Sequence, residues 1–318
     1  MTTTGGNVKL QQLRYLCETV NQNMNLSKAA IKLHTSQPAI SKQIQLLEQE
    51  LGVDIFLRNG KRFIQITPAG QLIVKTAKEM LHEAENLKRI AQEYNNETDG
   101  TLTIATTHTQ ARYVLPVVIK RFIARHPKIK LTLRQGNPTQ VSTMVISGEA
   151  DIAIATEAIE HFHELVMLPC YEWNRCIVVP PKHALLKNKK VTLEAINQYS
   201  IITYDSAFTG RSRINQAFET KGMEPNIVLT AIDSDIIKTY VELGLGIGIL
   251  ANMAFDHKRD SNLRSIDASH LFESSTTRIG INRNSYIRSY IFDFIEMFAP
   301  HLTKSTVMAK LQNRSPIP

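Results

Sequence analysis

The stretch "HTSQPAISKQIQLLEQELGVDIFLRNGKRFIQITPAG", His34 to Gly70, contains a helix, a hairpin and the start of a second helix. Ser36 is placed to cap the first helix, and Pro38 falls in the opening turn, where a missing N–H costs nothing. Ile40, Ile44, Leu47 and Leu51 share one helical face, and Gly52 supplies the stop. A hairpin follows, with strands at Ile55–Leu57 and Phe63–Ile66 around an Asn59-Gly60 turn. Thr67 and Pro68 then cap and open the next helix.

Before this stretch, Leu10, Leu13, Leu16, Cys17 and Val20, then Leu26, Ala29, Ala30 and Leu33, follow helical spacing. They predict two short helices over residues 9–33, the second capped by Asn25 or Ser27. Two helices, a tight turn and a third helix opened by Ser-Gln-Pro make a helix-turn-helix, and the hairpin makes a wing. Polar side chains at the start of the third helix, Ser36, Gln37, Ser41, Lys42 and Gln45 with Pro38 among them, suit a helix in the DNA major groove. Arg58, Lys61 and Arg62 put positive charge at the hairpin tip, where a wing meets phosphate or minor groove. Residues 1–66 carry eight Lys and Arg against four Asp and Glu, a net of +4 in a chain of +8. Beyond the hairpin the helix runs unbroken to about Tyr94. Leu72, Ile73, Ala77, Met80, Ala84, Leu87, Ala91 and Tyr94 form a stripe near the 3.5-residue period, which calls for a partner helix. "YNNETDG" reads as a linker.

From Thr101 short apolar runs alternate with amphipathic helices, the pattern of a parallel α/β sheet, and the length accommodates two lobes. "LTIATTHTQARYVLP" sets Thr107, Thr109 and Gln110 between a strand and a helix expected over 113–125. Helix N-termini expose unpaired N–H groups and partial positive charge, and ligands of such sheets bind at strand carboxyl ends. "ADIAIATEA", ending in Thr156 and Glu157, and "ITYDSAFTGRS", with Thr203, Ser206, Thr209 and Ser212, repeat the theme. Three hydroxyl-rich junctions converging on one cleft would take a small oxyanion or a hydroxyl-bearing amino-acid derivative. Each alone is better explained as an ordinary helix cap, and only the joint pattern favours a ligand.

The segment Leu10–Gly70 closely resembles the DNA-binding part of LysR-type transcriptional regulators. The resemblance is carried by Ala29-Ala30, Ser36-Gln37-Pro38-Ala39-Ile40-Ser41, Leu47-Glu48, Leu51-Gly52, Phe56-Leu57-Arg58 and Thr67-Pro68-Ala69-Gly70. Matches through "GNPTQ", "VMLPCYEWNR", "FTGRS", "DSDIIKTYVELGLGIGILA" and "RSYIFDFIEMFAPHLT" extend it, more narrowly, to the sulphur-responsive CysB group. The resemblance implies a winged helix-turn-helix over 1–67, a dimerisation helix over 68–95, and over 96–318 an α/β two-lobe effector domain like the periplasmic binding proteins. It implies promoter DNA, a second copy of the chain (dimer or tetramer) and RNA polymerase as partners. The effector would be N-acetylserine, sulphate, thiosulphate or a related anion. By motif match the effector residues are Thr107, Thr109, Gln110, Thr156 and Thr209, with Glu157, Asn137, Pro138 and Thr139 as second contributors. Members of the group answer to acetylserines, thiosulphate, sulphate or sulphonate signals, so a regulator of sulphonate utilisation is the alternative. Asp205 and Ser206 look atypical for the group, and a carboxylate facing an anion pocket would weaken anion binding.

Other chemistry finds little purchase. No apolar run reaches the ~20 residues of a membrane span, and the start of the chain lacks a secretory pattern, so cytoplasm is the expected location. Three cysteines make no disulfide framework. Cys170 and Cys176, flanking Trp173, leave a redox switch as a minor alternative to two unrelated thiols. Scattered histidines, including His161 and His163, show no ligand spacing for a metal. "GLGIGIL" lies after a helix and before a strand, the reverse of a dinucleotide fingerprint. No nucleophile elbow, Walker loop or Cys-His motif appears, so neither an enzyme nor a cofactor is expected. A two-lobe binding protein without a regulatory role is the competing class, and the winged domain argues against it.

Overall fold

The computed structural model describes residues 7–60, 62–95, 99–156, 162–207 and 209–312. The chain divides into two compact units, 1–95 with 284–286, and the remainder from 96.

In the first unit, α1 (Leu10–Asn21), α2 (Leu26–Lys32) and α3 (Gln37–Leu51) precede a hairpin, β1 (Phe56–Asn59) and β2 (Arg62–Ile66), and the long α4 (Pro68–Tyr94). The caps are those the sequence suggests. Asn25 accepts the Lys28 N–H at 3.0 Å, Ser36 the Ala39 N–H at 3.3 Å and Thr67 the Gly70 N–H at 2.9 Å. Gly52, at φ 70°, ends α3 in the left-handed conformation that suits glycine. The hairpin turn sits one residue later than expected. Asn59 pairs with Arg62 inside the ladder, a register change between Leu57 and Arg58 having shifted the pairing. Leu13, Leu16, Ile40, Ile44, Leu47, Ile55 and Phe56 form the core, and Val74 and Ala77 of α4 close it.

The stripe on α4 resolves into two faces. Ile73, Val74, Ala77 and Leu81 pack on the core of their own unit. Leu72, Met80, Leu87 and Tyr94 are exposed, at steps of eight, seven and seven residues, an unpartnered apolar line at heptad spacing.

The second unit holds two five-stranded sheets, each with helices packed on it. The first lobe orders its sheet β4-β3-β5-β12-β6. In chain order it comprises β3 (Gly100–Thr106), α5 (Leu115–Arg125), β4 (Ile129–Gln135), α6 (Pro138–Ile146), β5 (Ile152–Ala155) and β6 (Leu165–Trp173), and it is completed after the second lobe. That lobe orders its sheet β11-β7-β10-β8-β9. Its elements are β7 (Arg175–Val179), α7 (Leu193–Asn197), β8 (Ile201–Tyr204), α8 (Thr209–Thr220), β9 (Ile227–Ala231), α9 (Ser234–Glu242), β10 (Ile247–Ala251) and β11 (Arg264–Asp267). The chain then returns as β12 (Ser275–Asn282), α10 (Ser289–Phe298) and α11 (Lys304–Gln312). The sheets are mixed rather than parallel. β3 runs parallel to β4 and β5, and β8 to β9 and β10, but β12 is antiparallel to β5 and β6, and β7 to β10 and β11. A chain that visits the other lobe and returns reaches the first sheet from the opposite end, which reverses its last strand.

The two crossings between lobes are tied together. The Asn174 carboxamide, between β6 and β7, donates to the Ser269 and Phe272 carbonyls at 3.2 Å each. Arg175, fully buried, donates to the Glu273 carbonyl and to the Ser275 hydroxyl, both at 2.8 Å. A buried guanidinium needs this satisfaction, since an unpaired charge there costs several kcal/mol.

Candidate functional site

On the first unit, Ser36, Gln37, Pro38, Lys42 and Gln45 are exposed along the start of α3, and Ser41 is half-buried. The Ser36 hydroxyl is already used as the cap, and Gln37 accepts a hydrogen bond from Ser27 at 3.3 Å. Arg62 is exposed on the wing, while Lys61 lies outside the described residues. Arg58 is paired instead, its guanidinium bonded to Glu48 and lying over the Phe63 ring. The structure thus gathers Ser41, Lys42, Gln45 and their neighbours on one helix face, with Arg62 on the hairpin.

In the second unit the carboxyl ends of β3 and β5 lie side by side, with Thr106 paired to Ile154 and its hydroxyl donating to the Ile154 carbonyl at 2.9 Å. The helical segment after β3 starts at His108, five residues earlier than expected, because Gln110–Val114 form a wide π turn before α5. The extra residue in that turn re-aims side chains, a device frequent at functional sites. Thr107 and Thr109 are half-buried, and Thr109 lies near the Tyr204 hydroxyl of the second lobe. Gln110 is 2% exposed. Its carbonyl accepts the Tyr171 hydroxyl at 2.6 Å, and its amide donates to Thr277 Oγ1 at 3.2 Å and reaches Met253 Sδ at 4.0 Å. Burial pushes the Tyr171 and Tyr204 phenols up, which keeps both protonated and able to donate. Thr156, at the end of β5, is buried.

The second contributors fare differently. Asn137 lies at a third strand end, since the Gly136 N–H bonds to the Thr106 carbonyl, but its carboxamide caps α6 in a reciprocal box with Gln140. Pro138 is buried and Thr139 is exposed in the first turn of α6. Glu157 lies outside the described residues, and only the backbone of Thr209 is described, as the start of α8. The Asp205 carboxylate accepts the Ala207 N–H at 2.9 Å, so it closes its own turn.

Several further residues of the second unit carry no signal at sequence spacing. Arg211 donates to the Tyr204 carbonyl at 3.2 Å and to Asn215 at 2.7 Å, which sets a guanidinium at the end of β8. Burial lowers its pKa, the sign of a cation in a poorly solvated place. The Trp173 indole N–H is buried with no partner among the described residues, in a ring that packs with Tyr113 and Met253 against the second-lobe core. A latch also spans the lobes. Tyr113, on the π turn, donates to Asp235 Oδ1 of α9 at 2.6 Å and accepts from Lys238 at 2.9 Å. Arg112 Nε lies 2.6 Å from Asp235, and Lys238 also reaches the Ala254 carbonyl and Asp260. Burial pushes the Asp235 carboxyl up, but Tyr113, Lys238 and Arg112 outweigh it and hold it below its ordinary value.

His108, Asp233 and Asp235 bring ligand atoms within 4.8 Å of one another, a grouping their sequence spacing does not reveal. Asp233 already caps α9, and two cations already balance Asp235. The group reads as part of the latch. The cysteine pair is equally quiet: Cys170 and Cys176 sit in the cores of different lobes, and burial pushes each thiol up to about 12. Thiols held protonated are poor redox sensors.

A winged helix-turn-helix followed by a two-lobe fold with polar residues gathered at adjacent strand ends defines a ligand-responsive DNA-binding regulator. Residues 10–71 match the bacterial regulatory helix-turn-helix protein family model, lysR family, and residues 95–303 match the LysR substrate binding domain. The chain belongs to the LysR family of transcriptional regulators. It is 51% identical to the HTH-type transcriptional regulator CysB of Haemophilus influenzae over 94% of this chain and 93% of that one. It is 50% identical to the HTH-type transcriptional regulator SsuR of Burkholderia cenocepacia over 96% and 99%. The crystal structure of the cofactor-binding domain of the Cbl transcriptional regulator superposes with a TM-score of 0.66 at 43% identity, covering 69% of this chain and 96% of that one. As a LysR regulator the chain binds promoter DNA, responds to a small effector and self-associates.

Proposed function

We propose that the chain regulates sulphur-assimilation and cysteine-biosynthesis genes under control of an N-acetylserine-like inducer, sulphate or thiosulphate held between the lobes. The observation that carries the reading is the meeting of Thr107, Thr109, Gln110 and Thr156 at two adjacent strand ends of the first lobe, with Tyr204 of the second lobe near Thr109. Uncharged donors and a helix start hold an anion without a full counter-charge, and Arg211 adds one nearby. Thr209 completes the set by motif. Glu157, Asn137 and Thr139 are further contributors by motif. On the first unit Ser36, Gln37, Pro38, Ser41, Lys42 and Gln45 form the groove-facing surface, and Lys61 and Arg62 the wing contact.

Effector binding acts by favouring one lobe arrangement over another, with an energy equal to its difference in affinity for the two. A regulator of sulphonate utilisation is the second reading, since CysB and SsuR relatives match equally well. Calorimetry on the full chain with N-acetylserine, sulphate, thiosulphate and a short alkanesulphonate separates the two. A gel-shift series on sulphur-assimilation promoter DNA with the same compounds tests control. A chain that binds none of them and no such promoter refutes the proposal.

A further inference from the structure

Glu48 is an acidic residue at the end of the helix assigned to the major groove, and only 6% of it is exposed. Its Oε1 accepts the N–H groups of Ile55 and Phe56 at 2.9 and 3.2 Å, and its Oε2 takes the Arg58 guanidinium. One carboxylate therefore ties α3 to the first strand of the wing. Arg58 is held from its other side by Phe63, whose ring lies 5.2 Å from the guanidinium carbon and stacks on Phe56 at 4.4 Å. The same strand is gripped by α4. The Thr67 N–H donates to the Ile55 carbonyl at 2.9 Å and the Thr67 hydroxyl to the Asp54 carbonyl at 2.7 Å. Gly70 is obligatory there, because a Cβ would stand 2.2 Å from the Ile55 oxygen.

We infer that Glu48 is the positioning residue of the wing, and that it withholds Arg58 from DNA as an internal counter-ion. A nearly buried carboxylate without a cation is costly, so Arg58 is bound to Glu48 before any phosphate arrives. A guanidinium so engaged releases no DNA counter-ion on binding. The electrostatic contribution of the wing then comes from Arg62 and Lys61, with Arg58 serving to stiffen the hairpin. This also limits sequence-independent affinity, since each extra phosphate contact tightens binding to all DNA alike.

The inference rests on the wing touching phosphate, and the experiment separates the two ideas. The full chain is used with the duplex it selects from a random-sequence pool, and the slope of log K against log salt is measured. Each phosphate neutralised contributes about 0.9 to that slope. Arg62→Ala should lower the slope by about 0.9, and an unchanged slope refutes the wing contact itself. Arg58→Ala should leave it unchanged, and a fall of about 0.9 overturns the assignment of Arg58 to Glu48. Glu48→Gln keeps an acceptor for the two backbone N–H groups and releases Arg58. Its slope should rise by about 0.9, and the double variant with Arg58→Ala should return to the wild-type value. A Glu48→Gln slope equal to the wild type, alongside a lowered Arg62→Ala slope, overturns the proposal. Melting curves of each variant verify the fold.

Discussion

Tyr113→Phe removes one oxygen from the latch between the lobes. That hydroxyl donates to Asp235 at 2.6 Å and accepts from Lys238 at 2.9 Å, so two charge-assisted bonds are lost. Hydrogen bonds to charged groups are worth about 1.5–3 kcal/mol each. The two together count for no more than the low end for a single bond, because both partners stay satisfied. Lys238 keeps the Ala254 carbonyl and Asp260, Asp235 keeps Arg112, and a third of the Asp235 side chain is open to water. A loss of about 1.5 kcal/mol in total is therefore expected, a factor of roughly ten in the balance between this lobe arrangement and a looser one. The thermal midpoint of the effector domain should fall by about 3–6 °C. Apparent affinity for the effector should weaken by at most about tenfold, the ceiling being reached when the looser arrangement dominates without ligand. Scanning calorimetry and titration of the full chain with N-acetylserine and sulphate read both quantities. A Tyr113→Phe protein with the wild-type melting point and wild-type affinities would show that the latch does not couple the lobes.

Gln110→Ala strands the Tyr171 hydroxyl and Thr277, and should cost about 1–3 kcal/mol of stability as well as effector affinity, read by urea unfolding and calorimetry. Asp235 has a folded pKa below its unfolded one. Its stabilisation is therefore present above about pH 4 and disappears as the pH falls through the depressed value. Urea midpoints of wild type and Asp235→Asn should differ at pH 6, and the difference should narrow as the pH is taken below about 4. With burial pushing the three thiols up to about 11 or 12, an aromatic disulfide reagent at pH 7 should label the native chain slowly and the urea-unfolded chain at once. Leu87→Glu, on the exposed line of α4, should lower the sedimentation mass of the full chain without shifting its melting point by more than about 2 °C at high dilution.

How far a sequence discloses such a site depends on the range over which each signal acts. Caps and turns act within about five residues, and Asn25, Ser36, Gly52 and Thr67 are legible for that reason. The strand ends at Thr107 and Thr156 are legible too, because an apolar run ending in hydroxyls is local. The π turn is not. Its extra residue stores no signature in "QARYV", and its stability comes from partners as distant in sequence as Asp235, Lys238 and Thr277. The same holds for the antiparallel β12, whose direction is fixed by a passage through the other lobe. Charge shows the limit most clearly. Arg58, Lys61 and Arg62 are equal cations in the sequence until Glu48, ten residues upstream of Arg58, is folded against Arg58. Net charge counts the side chains that could meet a phosphate, whereas burial of one carboxylate decides which of them is already spoken for.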